Sequence, residues 1–299
     1  MARAAAALPE LEGYPFAPHL LETAAGALHY LDEGPAQAEP LLCVHGNPTW
    51  SYFYRRLVSG LSDEYRVVAP DHIGCGRSDK PQDWSYRLAD HVANLERLVL
   101  ALDLSRVTLV VHDWGGPIGF GVAARHPERF ARLVIFNTAA FPSGRIPLRI
   151  DLCRTPLLGQ VLIRRFNAFA RAATHMTVAR PGRMTAAVRR GYLAPYDSWK
   201  NRIANWKFVA DIPLSRRHPS RAALEEIAAA LPRFADLPAV VIWGERDWCF
   251  TPEFRREWER RLPGAKVHAI PDAGHYLLED AHEEILPWLK AFLREHPLS

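Results

Sequence analysis

The chain has 299 residues, of which 48% are hydrophobic and 23% charged, and its formal net charge is +4. These values are typical of a globular protein and exclude a disordered or fibrous chain. No apolar run reaches the roughly 18 residues of a transmembrane helix, and no long apolar stretch near the start indicates a secretory signal. The four cysteines lack metal-ligand spacing, so we expect a cytoplasmic protein with incidental thiols and no bound metal.

Predicted strands and helices alternate along the first half of the chain. The residues predicted to form strands are 27–33, 41–44, 65–69, 107–111 and 133–136, and those predicted to form helices are 51–61, 88–102 and 115–124. The pattern resumes near the end of the chain with strands at 239–243 and 266–270, a helix at 252–262 and a last helix ending near residue 294. Such alternation is typical of an α/β protein with a mostly parallel sheet and crossover helices.

Asp113 stands between the buried strand at 107–111 and the helix at 115–124. The local sequence follows the pattern Gly-x-nucleophile-x-Gly of a nucleophile elbow, with Val111 in place of the first Gly and Asp113 in place of the usual Ser. An Asp that only caps a surface helix is the alternative. We take Asp113 as the candidate nucleophile.

Strands are absent from the predicted pattern for about 75 residues after Pro142. We interpret residues 142–217 as a helical cap inserted into a core formed by residues 1–141 and 218–299. This cap contains 15 Lys or Arg and three Asp, a net charge of +12 that leaves −8 for the rest of the chain. A solvated face explains such a charge, and an anionic substrate, a membrane surface or an acidic partner are the alternatives.

Two further polar residues follow predicted strands near the end of the chain. Asp247 lies in the loop after the strand at 239–243, and His275 follows the last strand. The chain order nucleophile, acid, histidine is that of α/β-hydrolases. A histidine held by a carboxylate can remove a proton from water, so we predict that Asp113, Asp247 and His275 form a catalytic triad.

The loop after the strand at 41–44 carries His45-Gly46-Asn47-Pro48. In an α/β-hydrolase this loop and the residue after the nucleophile supply oxyanion donors. The amide of Asn47 and the indole of Trp114 could therefore receive a leaving halide or carboxylate. We expect His45 and the Asp71-His72 pair to be structural. The glycine-rich IGCGRSD lacks a Walker lysine, so we exclude nucleotide binding and expect no cofactor.

Five motifs together resemble the haloalkane dehalogenase branch of the α/β-hydrolases, namely HGNPTW, DHIGCGRSDKP, HDWGGPIGF, WGERDWCF and AGHYLLED. This resemblance implies an Asp113 nucleophile, a His275 base, an Asp247 acid, and Asn47 with Trp114 as leaving-group donors. One subgroup carries its acid after the sixth strand, where this chain has Asn137 and no carboxylate. The presence of Asn47 then points to the third subgroup.

The cap motifs NTAAFP, FNAFARAA and APYDSWKNRIANWKFVADIPL resemble the β-lactone decarboxylases of bacterial long-chain olefin biosynthesis. The resemblance implies a hydrophobic small-molecule substrate, a cis-β-lactone that yields a cis-alkene and CO₂, and a large assembly with other pathway enzymes. Trp199 and Trp206 are candidates for sheathing the alkyl chains, although they would serve equally well as cap core. Oligomerisation and peripheral membrane contact are left open.

Three other functions compete with this interpretation. A haloalkane dehalogenase would hydrolyse an alkyl ester formed at Asp113. An epoxide hydrolase would need two cap tyrosines as proton donors, for which Tyr192 and Tyr196 are the candidates. A binding protein on a retired hydrolase fold would not need three intact catalytic residues. Nothing beyond the basic cap suggests a nucleic acid partner.

Overall fold

Eight strands form one sheet in the computed structural model, which describes residues 8–298. The strands are β1 (His19–Thr23), β2 (Gly26–Glu33), β3 (Pro40–Val44), β4 (Arg66–Pro70), β5 (Val107–Asp113), β6 (Phe130–Thr138), β7 (Ala239–Gly244) and β8 (Lys266–Ile270). Their order in the sheet is β1-β2-β4-β3-β5-β6-β7-β8. Because β2 alone runs in the direction opposite to the other seven strands, the predicted mostly parallel sheet is confirmed.

Strand β5 lies between β3 and β6, and all seven of its residues are buried. Its Val-rich sequence suits this position because helices cover both faces of a parallel sheet and leave no solvent side. The carboxyl ends of parallel strands meet at one edge of the sheet. The loops after β3, β5 and β7, which carry Asn47, Asp113 and Asp247, therefore converge there.

Strand β1 is the one strand of the described sheet that the sequence pattern does not predict. Its sequence, His-Leu-Leu-Glu-Thr, lacks alternation of apolar and polar residues, and none of its side chains is fully buried. It pairs with β2 alone, with His19 opposite Tyr30. An edge strand of this kind is defined by its partner more than by its own composition.

The predicted helices are confirmed to within a few residues at their ends, and the one predicted at 51–61 begins as a 3₁₀ turn at Ser51–Tyr54. Within residues 8–298, no helix is both long enough and apolar enough to cross a membrane. The helices are α1 (Arg55–Leu61), α2 (Leu88–Ala101), α3 (Gly115–Arg125), α4 (Leu148–Arg154), α5 (Leu158–Gln160), α6 (Ala168–Met176), α7 (Ala186–Leu193), α8 (Ile203–Ala210), α9 (Arg221–Ala230), α10 (Pro252–Arg261) and α11 (Leu277–Glu295).

Helices α4 to α8 lie between β6 and β7, and residues 142–217 contain no strand. They enclose a small apolar cluster of Ile150, Ile163 and Val209 that is separate from the main core. Helix α9 packs instead against α2 and α3. The division into a core and a cap at residues 142 and 217 stays a prediction, which this separate packing supports.

Candidate active site

Asp113 occupies a strained turn between β5 and α3. Its φ angle is +51°, a left-handed conformation that a residue with a side chain seldom adopts. A Cβ atom on Gly115 would lie 1.9 Å from the carbonyl oxygen of Val44, and one on Gly46 would lie 2.0 Å from Oδ1 of Asp113. The two glycines therefore let the neighbouring loops approach closely enough to hold this turn.

The Asp113 carboxylate is buried and accepts backbone hydrogen bonds. Its Oδ1 accepts the N–H of Asn47 at 2.6 Å, and the N–H of Trp114 also donates to the carboxylate. Burial raises the pKa of Asp113, and the charge of His275 and these two N–H groups only partly offset that rise. The arrangement resembles an oxyanion hole around a carboxylate that stays accessible to a ligand.

His275 lies between the two carboxylates. Its Nδ1 is 2.7 Å from Oδ2 of Asp247, and its Nε2 is 3.8 Å from Oδ2 of Asp113. Burial alone would lower the pKa of His275, but the charge and hydrogen bond of Asp247, together with the charge of Asp113, outweigh burial and raise it. With Nδ1–H donating to Asp247, Nε2 faces the candidate nucleophile. The structure thus brings together the three residues of the predicted triad.

Asp247 is itself held by the backbone of its own loop. Its Oδ1 accepts the N–H groups of Cys249 at 2.7 Å and Phe250 at 3.1 Å. The ring of Phe250 stacks on the imidazole of His275, with centroids 5.7 Å apart. Acid and base are therefore fixed in position by the same turn.

Two residues that the sequence analysis did not single out support the loop of His275. The Nε2–H of His112 donates to the carbonyl of His275 at 2.9 Å. The buried carboxylate of Asp280 accepts the N–H groups of Gly274 at 2.7 Å and Arg180 at 2.8 Å, which joins this loop to the cap. The sequence signal that could have identified them is their position, since His112 directly precedes Asp113 and Asp280 lies five residues after His275.

Asn47 and Trp114 line the same cavity as Asp113. The Nδ2 of Asn47 donates one hydrogen bond to the carbonyl of Asn205 at 3.2 Å, and no other group of residues 8–298 accepts its second hydrogen. Among the described residues, none accepts a hydrogen bond from the indole N–H of Trp114, whose ring packs against Phe208. Two side-chain donors are thus placed beside the candidate nucleophile.

The cavity has a volume of about 360 Å³ and lies between the sheet edge and the cap. Apart from the residues already described, its walls are mostly apolar. The apolar side chains include Phe141, Ile146, Ile150, Phe169, Met176, Val209, Ile212, Leu214, Leu224, Trp248, Phe250 and Phe254. Such a site suits a ligand with a small polar centre and apolar arms.

Trp199 and Trp206, the candidates for sheathing the alkyl chains of a substrate, lie away from this cavity. Neither side chain lines the cavity. Trp199 is 40% exposed and stacks under the guanidinium of Arg164 at 4.4 Å. Trp206 packs against the small cap cluster that includes Val209. Trp206 therefore serves as cap core, the alternative expected for it, whereas Trp199 lies at the surface of the cap.

Tyr192 and Tyr196 do not line this cavity either. Both are buried, and the hydroxyl of Tyr192 donates to Oε1 of Glu279 at 2.6 Å. The hydroxyl of Tyr196 donates to the carbonyl of Thr49 at 3.2 Å. The proton donors that an epoxide hydrolase would need are therefore engaged elsewhere.

A cluster of buried histidines lies behind the site. The Nε2 of His45 accepts the N–H of His72 at 2.9 Å, and the carboxylate of Asp71 lies 2.8 Å from Nδ1 of His29. Neither His45 nor His72 lines the cavity. These contacts fit the structural role expected for His45 and the Asp71-His72 pair.

The protein should lose stability as the pH falls below about 6.5, because burial holds several histidines neutral. Burial lowers the pKa of His45, His72 and His112, and lowers that of His91 to about 3. Below pH 6.5 these histidines bind protons in the unfolded chain but stay neutral in the folded chain. Each of them therefore lowers the unfolding free energy by about 1.4 kcal/mol per pH unit. Urea unfolding at pH 7.5 and 5.5 measures this loss.

His91→Phe is the matched variant for this experiment. Both ring nitrogens of His91 are buried without a partner among the described residues, and its ring stacks on Phe208 with centroids 4.4 Å apart. A Phe keeps the stacking and removes the titration, so the loss between pH 7.5 and 5.5 should shrink by about 1.4 kcal/mol. An unchanged loss would show that His91 takes up its proton in the folded state.

The geometry of nucleophile elbow, loop acid and histidine at the carboxyl edge of a parallel sheet defines a site of the α/β-hydrolase class. A sequence profile described as the alpha/beta hydrolase fold matches residues 39–282, and the chain belongs to that family.

Two curated relatives and one solved structure are similar to the whole chain. A cis-3-alkyl-4-alkyloxetan-2-one decarboxylase of Xanthomonas campestris pv. campestris is 50% identical, covering 96% of this chain and 99% of the relative. A protein of the same name from Shewanella oneidensis is 47% identical over 94% of this chain and 89% of the relative. The crystal structure of haloalkane dehalogenase DbeA from Bradyrhizobium elkani is 26% identical with a TM-score of 0.84, covering 94% of this chain and 99% of that chain.

Proposed function

We propose that this protein is a β-lactone decarboxylase, which converts a cis-β-lactone with two long alkyl chains to a cis-alkene and CO₂. The observation that carries this proposal is the placement of Asp113 beside the donors Asn47 and Trp114 in an apolar cavity. The names of the two decarboxylase relatives support it. An oxetan-2-one is a four-membered β-lactone, whose 3- and 4-alkyl groups match the apolar walls.

The first chemical step is attack of an Asp113 carboxylate oxygen on C4 of the oxetan-2-one, the alkyl carbon that is bonded to the ring oxygen. The new C–O bond forms as the bond from that carbon to the ring oxygen breaks, and relief of ring strain favours the step. The products are an alkyl ester at Asp113 and a free carboxylate on the neighbouring carbon. The indole N–H of Trp114 and the amide of Asn47 are placed to receive the developing negative charge.

The second step expels CO₂ from this ester. The bond between the carboxylate carbon and its neighbour breaks, its electron pair forms the C=C bond, and the bond to Asp113 breaks to restore the carboxylate. Because the Asp113 oxygen enters opposite to the ring oxygen, the new ester oxygen and the carboxylate are antiperiplanar as soon as the ring opens. Both alkyl groups then lie on the same side, which gives the cis-alkene.

Attack on the ring carbonyl is the alternative first step. It would give a mixed anhydride and an alkoxide, and the alkoxide would then have to transfer to the Asp113 acyl carbon before CO₂ could leave and the carboxylate return. Attack on the alkyl carbon reaches the same ester in one step, so we favour it. In this cycle His275 accepts no proton and acts through its contact with Asp113.

Haloalkane dehalogenation is the second candidate. The observation in its favour is that Nε2 of His275 lies 3.8 Å from the Asp113 carboxylate, a position from which a histidine can activate water against an ester. The same donor pair would then receive a halide. The fold similarity to DbeA supports this alternative.

The decisive experiment incubates the purified protein in parallel with a long-chain cis-β-lactone and a 1-bromoalkane. Gas chromatography measures alkene and β-hydroxy acid from the lactone, and an ion assay measures bromide. We expect many turnovers to alkene, little β-hydroxy acid and little bromide. Fast bromide release without alkene would instead assign the dehalogenase function, and β-hydroxy acid as the main product would make the protein a lactone hydrolase.

A cytoplasmic location is also our proposal. The four cysteines are all free thiols in the structure, and none forms a disulfide. Cysteines that form no disulfide are typical of proteins in a reducing compartment.

A further inference from the structure

Exposed large apolar side chains are concentrated on the cap. Seven of the eight found among the described residues lie there, and the eighth is Leu100 on α2. Leu148 is 87% exposed and Leu157 is 77% exposed. The seven are Leu148, Leu152, Leu157, Leu158, Val161, Phe166 and Trp199. Scattered single residues of this kind are ordinary, but a concentration on one segment indicates a contact surface.

Five of these side chains form what we call the apolar ridge: Leu148, Leu152, Leu157, Leu158 and Val161. Leu148 and Leu152 are one turn apart on the outer face of α4. A Cβ atom on Gly159 would lie 1.9 Å from the carbonyl oxygen of Cys153, so α5 packs directly on the end of α4. The ridge is therefore continuous across the two helices.

The inner face of α4 belongs to the catalytic cavity. Ile150 and Cys153 line that cavity, whereas Leu148 and Leu152 point away from it. A single helix thus separates the apolar ridge from the space above Asp113.

Unpaired arginines continue the surface beyond the ridge. Val161 and Arg165 are four residues apart on the same helical run, and Phe166 follows them. A second cavity, of about 570 Å³, is lined by Arg165, Arg171, Arg189 and Phe166, and also by Arg202 and by Asp197, whose carboxylate accepts a hydrogen bond from Nδ2 of Asn201 at 2.8 Å. Among the described residues, no carboxylate forms an ion pair with Arg165, Arg171 or Arg189, and Nε of Arg189 is buried without a partner. Fork-shaped guanidinium groups without counter-ions suit phosphate oxygens.

We propose that the apolar ridge and these arginines dock the cap onto an anionic phospholipid bilayer, with the leucines among the acyl chains and the guanidinium groups on headgroup phosphates. The net charge of +12 on residues 142–217 complements such a surface. Leu148 and Leu157 are the most exposed side chains of the ridge and can insert among acyl chains.

The docking has a consequence for the substrate that rests on the proposed function. A lactone with two long alkyl chains dissolves in a bilayer far better than in water. Docking would place α4 between the bilayer and the catalytic cavity, so that substrate enters and alkene leaves at the lipid boundary.

Vesicle sedimentation tests the docking without any substrate. The purified protein is mixed with vesicles of phosphatidylcholine alone or of phosphatidylcholine with phosphatidylglycerol. We expect binding to the anionic vesicles that weakens with salt, and at least a tenfold loss of binding in Leu148→Ser/Leu157→Ser. Arg165→Gln/Arg171→Gln should remove the preference for phosphatidylglycerol. Leu100→Ser is the matched control and should bind like the wild type.

Two results would overturn the docking proposal. One is absence of wild-type binding to anionic vesicles at low salt, and the other is equal binding by Leu148→Ser/Leu157→Ser. If the wild type does not bind vesicles but forms a concentration-dependent oligomer, and the ridge variant loses that oligomer, the ridge is an interface between copies of this chain. Turnover of a short-chain, water-soluble β-lactone should be the same in wild type and ridge variant, so a failure of docking is separable from a failure of the proposed reaction.

Discussion

Replacing Asp113 with Asn should lower turnover of a β-lactone by at least about 10⁴-fold, because no other carboxylate can take its place. The amide is a poor nucleophile, and in the wild type Oδ1 accepts the N–H of Asn47 at 2.6 Å while Oδ2 lies 3.8 Å from Nε2 of His275. Near-complete loss of alkene, measured by gas chromatography, is the expected result. The same loss should apply to bromide release from a haloalkane, because both reactions begin at this carboxylate.

Two controls make this result interpretable. Intact-protein mass spectrometry must exclude deamidation of the introduced amide, which would regenerate the carboxylate and restore activity. Asp272→Asn removes a half-exposed carboxylate that pairs with Arg180 outside the cavity, and it should keep activity within about twofold. Unchanged turnover by a homogeneous Asp113→Asn protein would eliminate the nucleophile assignment.

The sheet was predictable from sequence because its parallel strands are buried on both faces. Apolar runs such as Val107–Val111 and Ala239–Trp243 can be fully buried as strands only inside a sheet that helices cover on both faces. Their composition therefore agrees with their position in the sheet. β1 could not be found in this way because it is half-exposed and defined by its pairing with β2. Local sequence carries little of the information that long-range pairing supplies.

The candidate catalytic residues were predictable because each follows a predicted strand. Asp113, Asp247 and His275 come from separate parts of the chain, and the parallel topology alone brings their strand ends to one edge. Their roles stay predictions until variants are assayed. His112 and Asp280 were not singled out, because their partners are backbone groups of the His275 loop and the cap that no local pattern reveals.

The cavity walls were the least predictable part of the site. Trp199 and Trp206 have the size and polarity expected of substrate contacts, but helix packing turns one toward solvent and the other into the cap cluster. Trp248 and Phe250, which follow Asp247 directly, line the cavity instead. Which face of a short helix points inward depends on how the helices of the cap pack together, and each of them is too short to fix that face by its own pattern.

Trp114→Phe should lower kcat for the β-lactone by about 10²–10³-fold, the usual effect of removing one donor from an oxyanion site. The substitution keeps an aromatic ring beside Phe208 and removes the indole N–H, which no described residue accepts, together with part of the ring volume. In the proposed cycle this N–H receives charge that develops as the ring opens, so kcat should fall far more than KM rises.

Trp206→Phe is the matched control for Trp114→Phe, because its indole lies in the cap cluster and outside the cavity. It should stay within about twofold of wild-type kcat, since it removes an indole N–H that faces no ligand. Equal losses in the two variants would mean that indole removal acts through stability, and a thermal melt of both would show it. A large loss confined to Trp114→Phe would show that the indole N–H stabilises the negative charge that develops as the lactone ring opens.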